Sequence, residues 1–185
     1  MNTPGNTIPD SGRQASTWAW VSLGANQPSP AGNPRQTVLA AMEHIAGWSR
    51  QPARHSSLWL SEPVDCPPGT LAFINAALAI VPAPGETPGE LLRRLLTLEL
   101  EFGRQRDGTA NAPRSLDLDL VSFGQVRSEE PALRLPHPRA HRRAFVLFPL
   151  AEIEPELRLP GQAKTVRELC AAPWIRDQRL TRLGS

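Results

Sequence analysis

Apolar and polar positions repeat with a changing period along the chain, and each change marks an element. Trp18 to Gly24 (WAWVSLG) is a short apolar run ending at glycine, the pattern of a buried strand. NQPSPAGN (26–33) is turn chemistry. Its last residue, Asn33, followed by Pro34, has the signature of a helix start. Val38, Met42 and Ile45 then recur at helical spacing until Gly47. RHSSLWLS (54–61) predicts a second strand, and Pro63, Pro67, Pro68 and Gly69 predict a stiff loop after it. LAFINAALAIV (71–81) has an ambiguous period, but Pro82 and Pro84 stop it early, which favours a third strand over a helix.

Thr87-Pro88-Gly89-Glu90 is a capping box with proline in the first turn. Leu91, Leu95, Leu98 and Phe102 mark one helix face that Gly103 closes. Arg104 to Arg114 has no periodicity, whereas SLDLDLVSFG (115–124) alternates and predicts a fourth strand. LPHPRAHRRAFVLFPLAEI (135–153) mixes proline stops with a short helical pattern, and Thr165 with Glu168 sets a second capping box before a final short helix. Strands and helices alternate without internal repeats. The expectation is one α+β or α/β domain over residues 18–185, preceded by a disordered tail over residues 1–17 that is rich in Pro, Gly, Ser and Asn.

Composition narrows the class. With 185 residues, 40% apolar and 21% charged, the chain can bury a real core. No apolar run approaches the roughly 20 residues that span a bilayer. The first residues lack the basic and apolar regions of a secretory signal, so the expected compartment is the cytoplasm. Cys66 and Cys170 are then not expected to form a disulfide. His44, His55, His137 and His141 do not lie at a spacing that would complete a zinc site with them. The net charge is +2, and Lys164 is the only lysine. A single arginine therefore means little here, but arginines gathered around carboxylates mean more.

That gathering occurs at the alternating strand. Residues two apart in a strand share a face about 6.6 Å apart, so Asp117 and Asp119 point one way while Leu116, Leu118 and Leu120 point into the core. A solvated acidic face is the ordinary reading of D-L-D-L. Arg104, Arg106 and Arg114 change it, because acidic pairs that hold hard cations beside arginines that hold phosphate oxygens are the parts of phosphoryl transfer. Two such carboxylates can serve two magnesium ions about 3.5–4 Å apart. Neither a P-loop nor a GxGxxG motif is present. His137, pinned between Pro136 and Pro138 and followed by Arg139, Arg142 and Arg143, is a further phosphate-facing candidate.

The fragments SLGAN, FINAAL, LELEFGRQR, PRSLDLDL, LPHP and RRAFVLFPLAEIEPEL, in this order and spacing, resemble the bacterial 2-amino-4-hydroxy-6-hydroxymethyl-dihydropteridine diphosphokinases, from about Trp18 to Leu159. The resemblance implies a monomer with a ferredoxin-like α+β core, an antiparallel sheet flanked by helices. It implies transfer of pyrophosphate from ATP to a pterin hydroxymethyl group in folate biosynthesis, with release of AMP. Asp117 and Asp119 match the ligands of two Mg2+ ions. Arg104, Arg106, Arg114, His137 and Arg143 match phosphate- or ATP-contacting positions, and the backbone at Leu120 matches the adenine contact. Asn75 matches a pterin hydrogen-bonding residue and Phe73 and Phe145 the aromatics around the ring. Ser61, Val64 and the Gly24 backbone match the rest of that pocket. Glu99 matches a near-site glutamate that orders the arginine-bearing loop.

Residue type alone leaves other readings open. Asn75 could be a satisfied turn amide, the two phenylalanines could be core, and Glu99 could be a surface charge. The chain also departs from the family pattern. It has Ser61-Glu62-Pro63 for Thr-Pro-Pro, Leu96 for glutamine, Arg134 for a small polar residue, and Ala110 and Asn111 for an arginine and a tryptophan. These departures keep open a second reading, a weak or silent paralogue that binds pterin or nucleotide. A nucleic-acid binder is disfavoured, since aromatics are 5% and the arginines form no run. The expected partners are ATP and the hydroxymethyl-dihydropterin, with neither nucleic acid nor membrane.

Overall fold

The computed structural model describes residues 17–63, 66–104 and 113–184, and the expected tail lies almost wholly outside them. The chain runs through β1 (Ala19–Ala25), α1 (Pro34–Ala46), β2 (Arg54–His55), β3 (Trp59–Ser61), β4 (Phe73–Ile80) and α2 (Pro88–Glu101). It continues with β5 (Asp117–Phe123), β6 (Ser128–Glu130), β7 (Leu133–Leu135), a 3-10 turn at Ala140–Arg142, α3 (Ala144–Ile153), α4 (Val166–Cys170), α5 (Pro173–Arg176) and β8 (Leu180–Arg182). The main sheet is antiparallel in the order β5-β1-β4-β3-β8, with β2 also on β4, while β6 and β7 form a separate hairpin.

The helices start where the sequence places their caps. Asn33, Thr87 and Thr165 each close a capping box, with Gln36, Glu90 and Glu168 respectively. After α2 the chain turns through Gly103 at φ +80°, a left-handed conformation that glycine takes without strain. The expected strand over 54–61 is two strands. The Ser56 hydroxyl accepts the Ala77 amide at 2.9 Å and itself donates to the Ser57 carbonyl at 2.7 Å. A side chain thus replaces one rung of the ladder and interrupts it.

Strand alternation gives the sheet two apolar faces. Val21, Leu23, Leu78, Ile80, Leu118 and Leu120 pack against Val38, Met42 and Ile45 of α1 and Leu91, Leu95 and Leu98 of α2. On the opposite face Trp20, Ala77, Ala79 and Val121 pack against Leu147 and Leu150 of α3, backed by α4 and α5. A bulge in β5, where the β1 register jumps from Leu120 to Ser122, turns Phe123 to the first core. The second face is covered over only part of its length. Toward Gly24, Asn75 and Asp117 it borders a cavity.

Glu152 ties the covered part together. From α3 it accepts the Ser57 backbone amide at 3.0 Å, the Ser57 hydroxyl at 2.7 Å, the Trp59 indole at 3.1 Å and Arg182 at 2.7 Å. Burial pushes its carboxyl up, but the bonds from Ser57, Trp59 and Arg182 outweigh that and hold it below the ordinary 4.5. A lowered folded pKa contributes stability that is present above the unfolded value and lost as pH falls through the folded one. Glu152→Gln should therefore lower unfolding stability by about 1–2 kcal/mol near neutral pH. The gap to wild type should narrow as pH drops below 4.5. Urea titrations across pH 3 to 7 measure it, and a gap that stays constant or widens in acid contradicts the assignment.

Candidate active site

Three strands deliver one row of side chains to the cavity. Gly24 in β1 sits opposite Asp117 in β5 and Asn75 in β4, and Ser22 sits opposite Asp119. The cavity has a volume of about 420 Å³, within the roughly 300–1,000 Å³ usual for small-molecule sites. A Cβ on Gly24 would lie 3.4 Å from Asn75 Oδ1, so the glycine leaves the asparagine oxygen clear. The Asn75 Nδ2 group donates to Ser61 Oγ at 2.9 Å and to the Phe73 carbonyl at 3.2 Å. Because Phe73 offers an acceptor there, the amide must present its NH2 to the protein. The Asn75 side chain is thus a fixed, buried part of the pocket wall.

The two aspartates are neutralised unequally. Asp117 accepts Arg104 at 2.7 Å through Oδ1 and Arg114 at 3.0 Å through Oδ2. Among the described residues, Asp119 has looser partners, Arg143 at 3.4 Å and His137 at 3.8 Å, both toward Oδ2. Burial, and then the charge of Asp117, raise the Asp119 carboxyl above its ordinary value. Burial lowers His137 against the pull of Asp119, and burial likewise lowers Arg143. Among the described residues, Asp119 is the less neutralised of the two carboxylates. The His137 backbone amide donates to the Val121 carbonyl at 2.8 Å, so the bulged part of β5 fixes the histidine beside it.

Glu99 is not a surface charge. Its carboxylate is almost fully buried at the end of α2, pairs with Arg104 and accepts the Leu118 amide at 2.8 Å. The end of α2, the first residue of the arginine loop and the aspartate strand are thereby one unit. Asn26, not singled out from the sequence except as part of SLGAN, closes the other side. It donates to the Leu71 carbonyl at 3.2 Å and accepts the Arg114 amide at 2.8 Å, while the Arg114 carbonyl accepts the Asn26 amide at 3.2 Å. A buried asparagine just past a strand end was its only sequence signal.

Of the residues expected in the site, Gly24, Ser61, Phe73, Asn75, Arg104, Arg114, Asp117, Asp119, His137, Arg143 and Phe145 all line this cavity. Phe73 and Phe145 are half-buried, with Arg114 and Arg143 guanidinium carbons 6.0 and 5.3 Å from their ring centres. Glu62, Leu96 and Arg139 line it as well. The Leu120 side chain does not, because it belongs to the α1–α2 core. Val64, Arg106, Ala110 and Asn111 lie outside the described residues. The other departures from the family pattern are described, and Ser61, Glu62 and Leu96 line the cavity. Among the described residues no group of three or more His, Cys, Asp or Glu converges as a metal site. Asp117 and Asp119 do share the cavity, and two carboxylates are a donor set that suits a hard cation whose other ligands are water or substrate oxygens.

Residues 20–155 match the family model of 7,8-dihydro-6-hydroxymethylpterin-pyrophosphokinase. The chain is 36% identical over 165 residues to the 2-amino-4-hydroxy-6-hydroxymethyldihydropteridine pyrophosphokinase of Pseudomonas aeruginosa, covering 87% of this chain and 95% of that one. It is 35% identical over 161 residues to the Synechocystis protein of the same name, covering 84% and 78%. The wild-type HPPK-DHPS structure of Plasmodium falciparum shares the fold with a TM-score of 0.60 at 14% identity. That match covers 86% of this chain but only 41% of the Plasmodium chain.

The buried Glu99 generates a stability prediction. Glu99→Ala strands the Leu118 amide and removes one of the partners of Arg104. It should lower unfolding stability by about 2–4 kcal/mol, measured by chemical denaturation. A loss below about 0.5 kcal/mol, the level of an ordinary surface change, would show that the carboxylate is not a structural tie.

Proposed function

The chain belongs to the 7,8-dihydro-6-hydroxymethylpterin-pyrophosphokinase family, and from that premise we propose how its site carries out the reaction. The enzyme transfers pyrophosphate from ATP to 6-hydroxymethyl-7,8-dihydropterin, giving the pterin diphosphate and AMP. The pterin hydroxyl oxygen forms a bond to the β-phosphorus and releases its proton to water, the bond from that phosphorus to the α,β-bridging oxygen breaks, and AMP leaves with that oxygen. One observation carries the assignment of roles: two carboxylates and four arginine side chains share a cavity with a buried amide and two half-buried aromatic rings.

The pterin ring takes the Asn75, Ser61, Phe73 and Phe145 side, where a flat heterocycle meets an amide oxygen and aromatic faces. The triphosphate takes the side lined by Arg104, Arg114, His137 and Arg143. Asp117 and Asp119 would hold two magnesium ions, which when bound would neutralise the polyphosphate and help orient the attacking oxygen. Arg143 and His137 already stand beside Asp119, so they meet the same phosphate oxygens. Guanidinium forks suit that task because they match phosphate geometry. None of the lining side chains need act as a general base, since positioning and electrostatics dominate this chemistry. We place the enzyme in the cytoplasm as a monomer. Among the described residues no helix is long and apolar enough to cross a membrane, and Cys66 and Cys170 are not joined by a disulfide.

Two measurements test the roles. Asp117→Asn and Asp119→Asn should each cut magnesium-dependent AMP formation by roughly 10³-fold, several kcal/mol of lost transition-state stabilisation. Circular dichroism should stay near wild type, and EDTA should abolish wild-type turnover. Near-normal activity in either variant contradicts the metal assignment. Asn75→Ala should weaken pterin binding by about 1–3 kcal/mol and leave the affinity for a non-hydrolysable ATP analogue unchanged. Equal losses for both ligands would make Asn75 structural.

A further inference from the structure

Helix α3 carries two cavity side chains in its first residues, yet its start is poorly supported from within. Arg143, at the N-cap, makes no side-chain capping bond, and the first turn has no acidic residue. Pro149 inside the helix has no N–H, so the Phe145 carbonyl lacks its usual i+4 donor. The first-turn amides of a helix need outside partners, and here one comes from far along the chain. Gln178, just after α5, accepts the Ala144 amide at 2.9 Å through Oε1. Its Nε2 donates to the Arg142 carbonyl at 2.9 Å and to the Trp174 carbonyl at 3.1 Å. The amide orientation follows from its partners, one backbone donor and two backbone acceptors.

We propose that Gln178 is a positioning residue for pyrophosphoryl transfer: its side-chain amide brackets the backbone on both sides of Arg143 and so sets where Arg143 and Phe145 enter the cavity. The inference rests on the roles given to those two side chains above. Arg142 and Ala144 flank Arg143, whose guanidinium stands 3.4 Å from Asp119. Phe145 follows at once. Gln178 is itself held, because two residues later β8 pairs with β3, with Leu180 opposite Ser61, and the Leu183 amide donates to the Leu58 carbonyl at 2.8 Å. Ser61 in turn accepts the Asn75 amide. One C-terminal segment therefore braces both the Phe145 wall and the Ser61–Asn75 wall of the pocket. It lies beyond residues 20–155, the stretch that matches the family model.

The test uses the full chain with Gln178→Met, which keeps the length and removes all three hydrogen bonds, and Gln178→Glu, which keeps only the acceptor for Ala144. Assayed well below the melting transition, Gln178→Met should lower kcat about ten- to hundredfold, the scale of a small misplacement of reacting groups. It should also raise the KM for the pterin more than that for ATP, and Gln178→Glu should fall between Met and wild type. Hydrogen exchange of the Ala144 amide should accelerate in Gln178→Met. Unchanged kcat and KM, or activity that falls only with the folded fraction, overturns the proposal. If wild type forms no AMP, the functional reading fails, and the bracket is judged by exchange alone: unchanged protection at Ala144 overturns it, and faster exchange supports it.

Discussion

An almost fully buried carboxylate at the edge of the cavity holds this site together. Glu99 is buried among the leucines of α2 and β5, where an unpaired charge is costly. It is tolerated because Arg104 and the Leu118 amide satisfy it. The same arginine reaches on to Asp117. One ionic chain therefore runs from a helix end, through the first residue of the arginine loop, to the aspartate strand. Any shift of α2 against β5 would break a buried charge pair, so these pieces keep their spacing before any ligand arrives.

The sheet supplies the rest by being incompletely covered. α3 seals the Trp20 and Ala77 part of one face and stops short of Gly24 and Asn75. The pocket is thus the unfilled remainder of a core layer, and its floor is as rigid as the hydrogen-bonded strands beneath it. Polar chemistry is concentrated where apolar packing ends. Charged groups sit on β5, the edge strand, and neutral hydrogen-bonding groups sit on the more central β4. This separation lets one small cavity take an anionic and an uncharged ligand side by side.

Much of this was legible in the sequence because it is written in local patterns. An N-cap followed by proline at Asn33 and capping boxes at Thr87 and Thr165 mark helix starts to the residue, and the D-L-D-L alternation assigns faces without reference to anything distant. What was not legible depends on long-range partners. Whether Glu99 is a surface charge or a buried tie is decided by Leu118 and Arg104. The interruption of the second strand is decided by a hydroxyl at Ser56 meeting Ala77. Asn26 joins segments 45 and 88 residues away, which no window of sequence contains. The separate β6–β7 hairpin and β8 are three residues per strand, too short for a periodic signal.

The bare surface at Gly24 has an evolutionary side. Every replacement of that glycine adds at least one carbon, and the first of them already touches the Asn75 oxygen. An inhibitor resting on this backbone presses on a position where each escape mutation also crowds the Asn75 side chain that lines the pocket. A compound leaning on the exposed Arg139 or Glu62 side chains would instead rest on atoms that a substitution can remove.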